Sequence, residues 1–229
     1  MTERALWLNL CWLTSPALPV GSFAFSQGLE QLFERGSLKN GSDILHYLRF
    51  YLQTGLGYWE LPLLKRMYQA CQDEQWEQLK NLNSRLLSGR ETAELLLEEQ
   101  AQGQALMQLC GKLFTLPPSL QACKLGYVAA FALFAWYSTP VEAKDKLTAL
   151  ELMQAYAFAQ VQNALAASCK ALPLGQMAAA QVQVQLLPVI EEVCKRALTL
   201  DDGDLGTSLP FLAIVSSLHE SQYSRLFRS

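Results

Sequence analysis

The stretch Leu125-Gly126-Tyr127-Val128-Ala129-Ala130-Phe131-Ala132-Leu133-Phe134-Ala135-Trp136-Tyr137 is apolar on nearly every side when wound as a helix. A surface helix carries one apolar stripe and one polar face, so a segment with no polar face belongs in the middle of a packed molecule. It is too short to span a bilayer, and Pro140 and charged residues follow it. The reading predicts a helix opened by Ser119, after Pro117 and Pro118, with the other helices laid around it.

Working toward the N-terminus, Ala93, Leu96, Gln100, Gly103, Met107, Cys110 and Phe114 recur at helical spacing and predict a helix packed along its length. Ser88-Gly89-Arg90-Glu91 reads as its capping box. Gly103 suggests close helix approach, and Gln100 would need a hydrogen-bond partner if buried. Asp73 is placed to cap a helix with Trp76, Leu79, Leu82 and Leu86 inside. Before it, Gly41-Ser42-Asp43 opens a helix that Gly55, Gly57 and Pro62 should break or kink, leaving Glu60 beside the kink as a cap or a partner contact. Pro16 and Pro19 exclude a helix from the opening corner, after which Ser22 starts one that carries Phe25, Leu29, Leu32 and Phe33, with Gly28 inside it.

Working toward the C-terminus, Thr139 and Pro140 lead into a long helix from about Val141 to Leu172. Pro173-Leu174-Gly175-Gln176 forms the next corner, and Pro188 punctuates a further helix ending near Leu198. A last helix starts at Ser208-Leu209-Pro210 with Phe211, Ile214, Val215 and Leu218 facing the core. No convincing strand pattern of alternating residues occurs, although Val182 and Val184 alternate with glutamines. The fold class is therefore all-α: a single-domain helical bundle of about eight to ten helices over residues 1–218, with residues 219–229 as a C-terminal tail.

Composition narrows the function. Hydrophobic residues make up 51% and charged residues 17% of the 229, an apolar excess that suggests a partner-covered surface. A net charge of −3 supplies no basic field for nucleic acid. The six cysteines are scattered singly, as buried thiols in a reducing cytoplasm would be, and with two histidines no structural metal site assembles by spacing. The N-terminus lacks the basic start and small-residue cleavage site of a signal peptide. Neither a Walker phosphate loop nor Gly-x-Gly-x-x-Gly occurs, and neither histidine has a signature nucleophile near it. Asp201-Asp202-Gly203-Asp204 is the one acidic concentration; it reads as a solvated loop, with a Mg²⁺-dependent helical enzyme using Asp201, Asp202 and Asp204 as the alternative. At the terminus, Tyr223, Leu226 and Phe227 would share a helical face flanked by Arg225 and Arg228, which is either an interface composition or an ordinary frayed end.

Four blocks and the ending then add up. Ser15-Pro16-Ala17-Leu18-Pro19-Val20-Gly21-Ser22-Phe23 with Ser26-Gln27-Gly28-Leu29-Glu30, Arg90-Glu91-Thr92-Ala93-Glu94-Leu95, Pro173-Leu174-Gly175-Gln176, and His219 through Ser229 closely resemble the UreF family of urease accessory proteins, in the same order along nearly the whole chain. The resemblance implies an all-helical cytoplasmic component of nickel insertion that is not itself an enzyme and carries no cofactor. It implies a homodimer that binds UreD, also called UreH, and with it recruits the GTPase UreG to serve apo-urease. The partner-binding residues it implies are Glu220, Gln222, Tyr223, Arg225, Leu226, Phe227 and Arg228 in the tail, and Pro173, Gly175 and Gln176 at the corner. Family models also route nickel through an internal passage, for which Glu30 and Glu60, each near a predicted corner, are the candidates.

Overall fold

The computed structural model describes residues 2–144, 146–206, 209–219 and 225–228, and among them every regular element is a helix. In chain order these are α1 (Thr2–Leu13), α2 (Leu29–Glu34), α3 (Gly41–Tyr51), α4 (Leu61–Gln72), α5 (Trp76–Ser88), α6 (Ala93–Leu113), α7 (Pro118–Gln121), α8 (Tyr127–Ser138), α9 (Ala149–Ala171), α10 (Gln176–Ala197) and α11 (Pro210–His219). None of them is long and apolar enough to cross a membrane.

The all-round apolar segment is the centre of the bundle. Tyr127 to Ala135 of α8 are buried on every side, with α1, α4, α5 and α6 packed around them. Tyr127 and Phe131 meet Tyr156 of α9, while Trp12 and Phe114 both stand edge-on to Phe134. The helix starts later than its sequence suggests: Ser119 belongs to the one-turn α7, and α8 begins afresh after Gly126. The reason is backbone contact. A Cβ on Gly103 of α6 would lie 2.2 Å from the Leu125 carbonyl oxygen, so this loop runs against α6 before it can turn helical. The first free amides of α8 are then met by side chains: Asn83 Oδ1 accepts from Gly126 N at 2.7 Å and Glu99 Oε1 from Val128 N at 2.9 Å.

Several helix starts differ from their sequence signals. Thr92, not Ser88, caps α6, accepting from Leu95 N at 3.2 Å; Ser88 ends α5 and donates to the Arg85 carbonyl. Asp73 closes α4 and accepts from Gln69, because Glu74 turns the chain with φ 52° before α5 begins. Pro140 is followed by a short 3₁₀ turn, Val141–Ala143, and α9 begins only after Thr148, whose capping box with Glu151 is complete. At the opening corner Ser22–Ala24 is another 3₁₀ turn, and Gln27 and Gly28 take φ values of 53° and 78° that no helix can contain. Gly28 thus precedes α2 instead of lying inside it.

Gly55, Gly57 and Pro62 do not break the chain out of helical structure. The chain passes from α3 into α4 through a π-helical stretch, Leu52–Glu60. Neighbouring elements donate to two of its carbonyls: Gln53 O accepts from Arg196 Nη2 at 2.6 Å and Tyr58 O from Gly206 N at 3.1 Å. α10 stays helical through Pro188. The cysteines Cys110 and Cys194 are buried, and burial pushes each thiol up to about 12, which leaves them inert near neutrality.

Candidate functional site

Two clusters of buried carboxylates around a basic side chain lie inside the bundle, and both are organised by α6. That helix turns inward a row the hydrophobic pattern does not select. Glu94, Glu98, Glu99, Gln102, Gly103, Leu106 and Cys110 are buried, whereas Gln100 is exposed.

The first cluster gathers on Arg90, in the link between α5 and α6. Its guanidinium donates to Glu60 Oε1 at 2.6 Å and to Glu99 in a very short bond, while Tyr156 Oη donates to Glu60 Oε2 at 2.7 Å. Glu60 is 5% exposed, and it neither caps α4 nor reaches the surface. Burial works against the Arg90 charge, but Glu60 and Glu99 more than offset it and hold the guanidinium well above the usual arginine range. Burial raises the Glu99 carboxyl, and the pull of Arg90 only partly opposes it. Burial, then Glu60 and Glu99, lift the Tyr156 phenol well above its ordinary value, so it stays a donor. Beside this cluster is a cavity of about 60 Å³ walled by Glu60, Arg90, Glu98, Glu99, Gln102 and Gln160. A smaller one, near 10 Å³, shares Glu98, Gln102 and Gln160 with it and extends toward Ser22 and Asn163. Gln27 borders both and donates to Gln160 at 3.3 Å, tying the opening corner to α9.

The second cluster joins the two ends of the chain. His219, the last residue of α11 and 0% exposed, sits between two carboxylates: Nδ1 is 2.8 Å from Glu94 Oε2, and Nε2 is 3.1 Å from Glu30 Oε2. Both ring nitrogens therefore face a carboxylate oxygen at hydrogen-bond distance. Glu30, 4% exposed on α2, also accepts from the backbone amides of Leu226 at 2.6 Å and Phe227 at 3.0 Å. Arg225 pairs with Glu94 at 3.2 Å, Arg228 N donates to Ala24 O, and Lys170 donates to Leu226 O and stands over the Phe227 ring. The carboxyl end of the tail is therefore clasped by its own chain.

This clasp sets the face of α11. Leu212, Val215, Ser216 and His219 point inward, so Phe211 and Ile214, expected in the core, are each 59% exposed. Taking His219 to the two carboxylates rotates the helix by about one residue, or ~100°. Leu226 and Phe227 do not share a face either, since Phe227 is buried and Leu226 is exposed. Glu220, Gln222 and Tyr223 lie outside the described residues. Pro173, Gly175 and Gln176 stand exposed at the corner between α9 and α10, and no described contact joins them to the tail. The aspartates of the acidic loop are used separately: Asp202 pairs with Arg66 at 2.9 Å, and Asp204 accepts from Asp201 N at 3.2 Å. They form no convergent acidic site.

Sequence reasoning missed Arg90, Glu94, Glu98, Glu99, Tyr156 and His219 as site residues. The available signal was Gly103, whose close contact with the Leu125–Gly126 backbone fixes which side of α6 faces inward and carries Glu99 with it.

A family model described as UreF matches residues 38–187. A protein of Marinobacter nauticus named urease accessory protein UreF is 42% identical over 97% of this chain and 94% of its own length. The chain belongs to the UreF family. Proteins of the same name from Chromohalobacter salexigens, 42% identical over 96% of this chain and 94% of their own, and from Pseudomonas putida, 39% identical over the full length of both, agree. The family model takes in the Arg90 cluster whole, whereas Glu30, His219 and Arg225 lie outside its limits. By family this chain is a urease accessory protein, not a catalytic enzyme by name.

Proposed function

We propose that the chain is a non-catalytic, cytoplasmic component of urease nickel insertion that bridges UreD, also called UreH, and the GTPase UreG, and so serves apo-urease. The observation that carries the reading is full-length similarity to urease accessory proteins named UreF. The exposed Phe211 and Ile214 on α11, with Trp7 and Leu8 on α1, offer apolar area for UreD and for a second copy of the chain. Arg225 to Arg228 hold one end of the tail against α2, from where it re-docks onto UreD; the corner at Pro173, Gly175 and Gln176 adds exposed surface.

Of the two passage candidates, Glu60 suits nickel transit better, because it borders the polar cavity that Glu98, Gln102 and Gln160 extend. Glu30 is enclosed by His219 and the tail amides, and it joins a passage only when the tail lifts.

Affinity capture tests the bridge. Tagged chain is expected to retain UreG only when UreD is present, and to lose UreD on deletion of Ser221 to Ser229 while circular dichroism stays helical. Undiminished capture of UreD by the truncated chain removes the tail's role, and failure of the intact chain to capture UreD removes the bridge itself.

A further inference from the structure

A groove of about 910 Å³ lies on the outer side of α6, away from both clusters, between that helix and the chain from Phe114 to Leu125. Its size is that of sites that take whole ligands, not single waters. Along one wall run Gln100, Gln104 and Gln108, one helical turn apart, and their carboxamides make no hydrogen bond among the described residues. Each carboxamide offers a donor and an acceptor, the complement of a peptide group. Their spacing of about 6 Å is close to the ~6.6 Å at which an extended chain repeats its outward-facing peptide groups. Met107, Phe114 and Leu116 supply apolar lining for side chains of such a segment.

Charge selects the kind of segment. No carboxylate is among the residues lining the groove, and Lys124 stands exposed at its edge. Lys112 continues the glutamine row one turn beyond Gln108 and is also exposed. We infer that the groove docks an extended segment of a partner protein in which apolar residues alternate with acidic ones: its backbone pairs with the glutamine row, its apolar side chains enter the groove, and its carboxylates meet Lys124 and Lys112. Neither the nickel passage nor the tail enters this inference, so it stands or falls apart from the bridging role.

Two blocked pentapeptides probe it, Leu-Glu-Leu-Glu-Leu and Leu-Lys-Leu-Lys-Leu, followed by NMR of the glutamine side-chain amides and by the alkylation rate of Cys123, which lines the groove. The acidic peptide is expected to shift the Gln104 and Gln108 signals and to slow Cys123 alkylation, and the basic one to do neither. Gln104→Ala with Gln108→Ala is expected to weaken the acidic peptide about tenfold, equivalent to ~1.4 kcal/mol. Lys124→Glu is expected to reverse the preference between the peptides, which a loss of folding would not do. Equal effects of both peptides, no shift at millimolar acidic peptide, or an unchanged preference in Lys124→Glu overturns the inference. A wild-type dimer that sediments as a monomer after the double glutamine substitution also overturns it, by giving the groove to a second copy.

Discussion

Both clusters set a basic side chain between two buried carboxylates, yet they close differently. Arg90 holds Glu60 and Glu99 with a guanidinium that stays charged at any working pH, and all three side chains lie between α3 and α8 in the sequence. His219 meets Glu30 from 189 residues away and Glu94 from 125, through the two nitrogens of one buried ring. The first is a permanent joint of the core. The second is a latch, and its other partners come from the tail: the backbone amides of Leu226 and Phe227 and the guanidinium of Arg225.

The largest expected effect separates the two at once. Arg90→Met leaves Glu60 and Glu99 buried without their cation and is expected to cost about 3–5 kcal/mol in urea unfolding, with the tail still docked. Adding Glu99→Gln should recover part of that loss, since the most deeply buried of the uncompensated charges is then gone. Full stability of Arg90→Met would mean that the joint contributes nothing to the fold.

Alkali should weaken the permanent joint through Tyr156, which donates to Glu60, and through Tyr51 and Tyr127, which line the cavity beside it. Tyr51, Tyr127 and Tyr156 are all raised from 10.0, chiefly by burial, so the folded chain keeps protons that the unfolded chain releases above that pH. Stability must therefore fall as pH rises past 10, by about 1.4 kcal/mol per phenol at pH 11, or ~4 kcal/mol for the three. The buried thiols, raised from 9.0, start the same decline one unit earlier. Denaturation midpoints that stay level from pH 8 to 11 would contradict this burial.

The bundle was largely legible in the sequence, and the latch was not, for one physical reason. Hydrophobic patterning finds faces that exclude water, and it found the buried α8 and the helical character of α4, α9 and α10. It assigns charged residues outward, so on α6 it chose Ala93, Leu96 and Gln100 over the inward Glu94, Glu98 and Glu99. On α11 it chose Phe211 and Ile214 over Ser216 and His219. Buried charge is revealed only when its partner is known, and Glu30, Glu94 and His219 come from three separate elements. Glu30 and Glu60 were singled out through a family resemblance and their places near corners; no pattern of spacing shows that each is nearly sealed from solvent.

Smaller substitutions sharpen the contrast. Glu30→Gln removes the charge that the tail amides and His219 share, and is expected to cost about 2 kcal/mol of tail docking with little change in global unfolding. Limited carboxypeptidase digestion should then remove Phe227 faster than in the native chain; equal rates would argue against the latch. Thr92→Ala loses the α6 cap and the 2.7 Å contact with Ser216 of α11, and should lower stability by about 1 kcal/mol.

Hydrogen exchange reads both clusters in one experiment, since Glu30 accepts from the amides of Leu226 and Phe227 while Glu99 accepts from that of Val128. All three amides should be protected in the native chain. In Glu30→Gln, Leu226 and Phe227 should exchange freely while Val128 stays protected. Unprotected tail amides in the native chain, or tail protection that survives Glu30→Gln, would contradict a tail latched onto its own chain by Glu30.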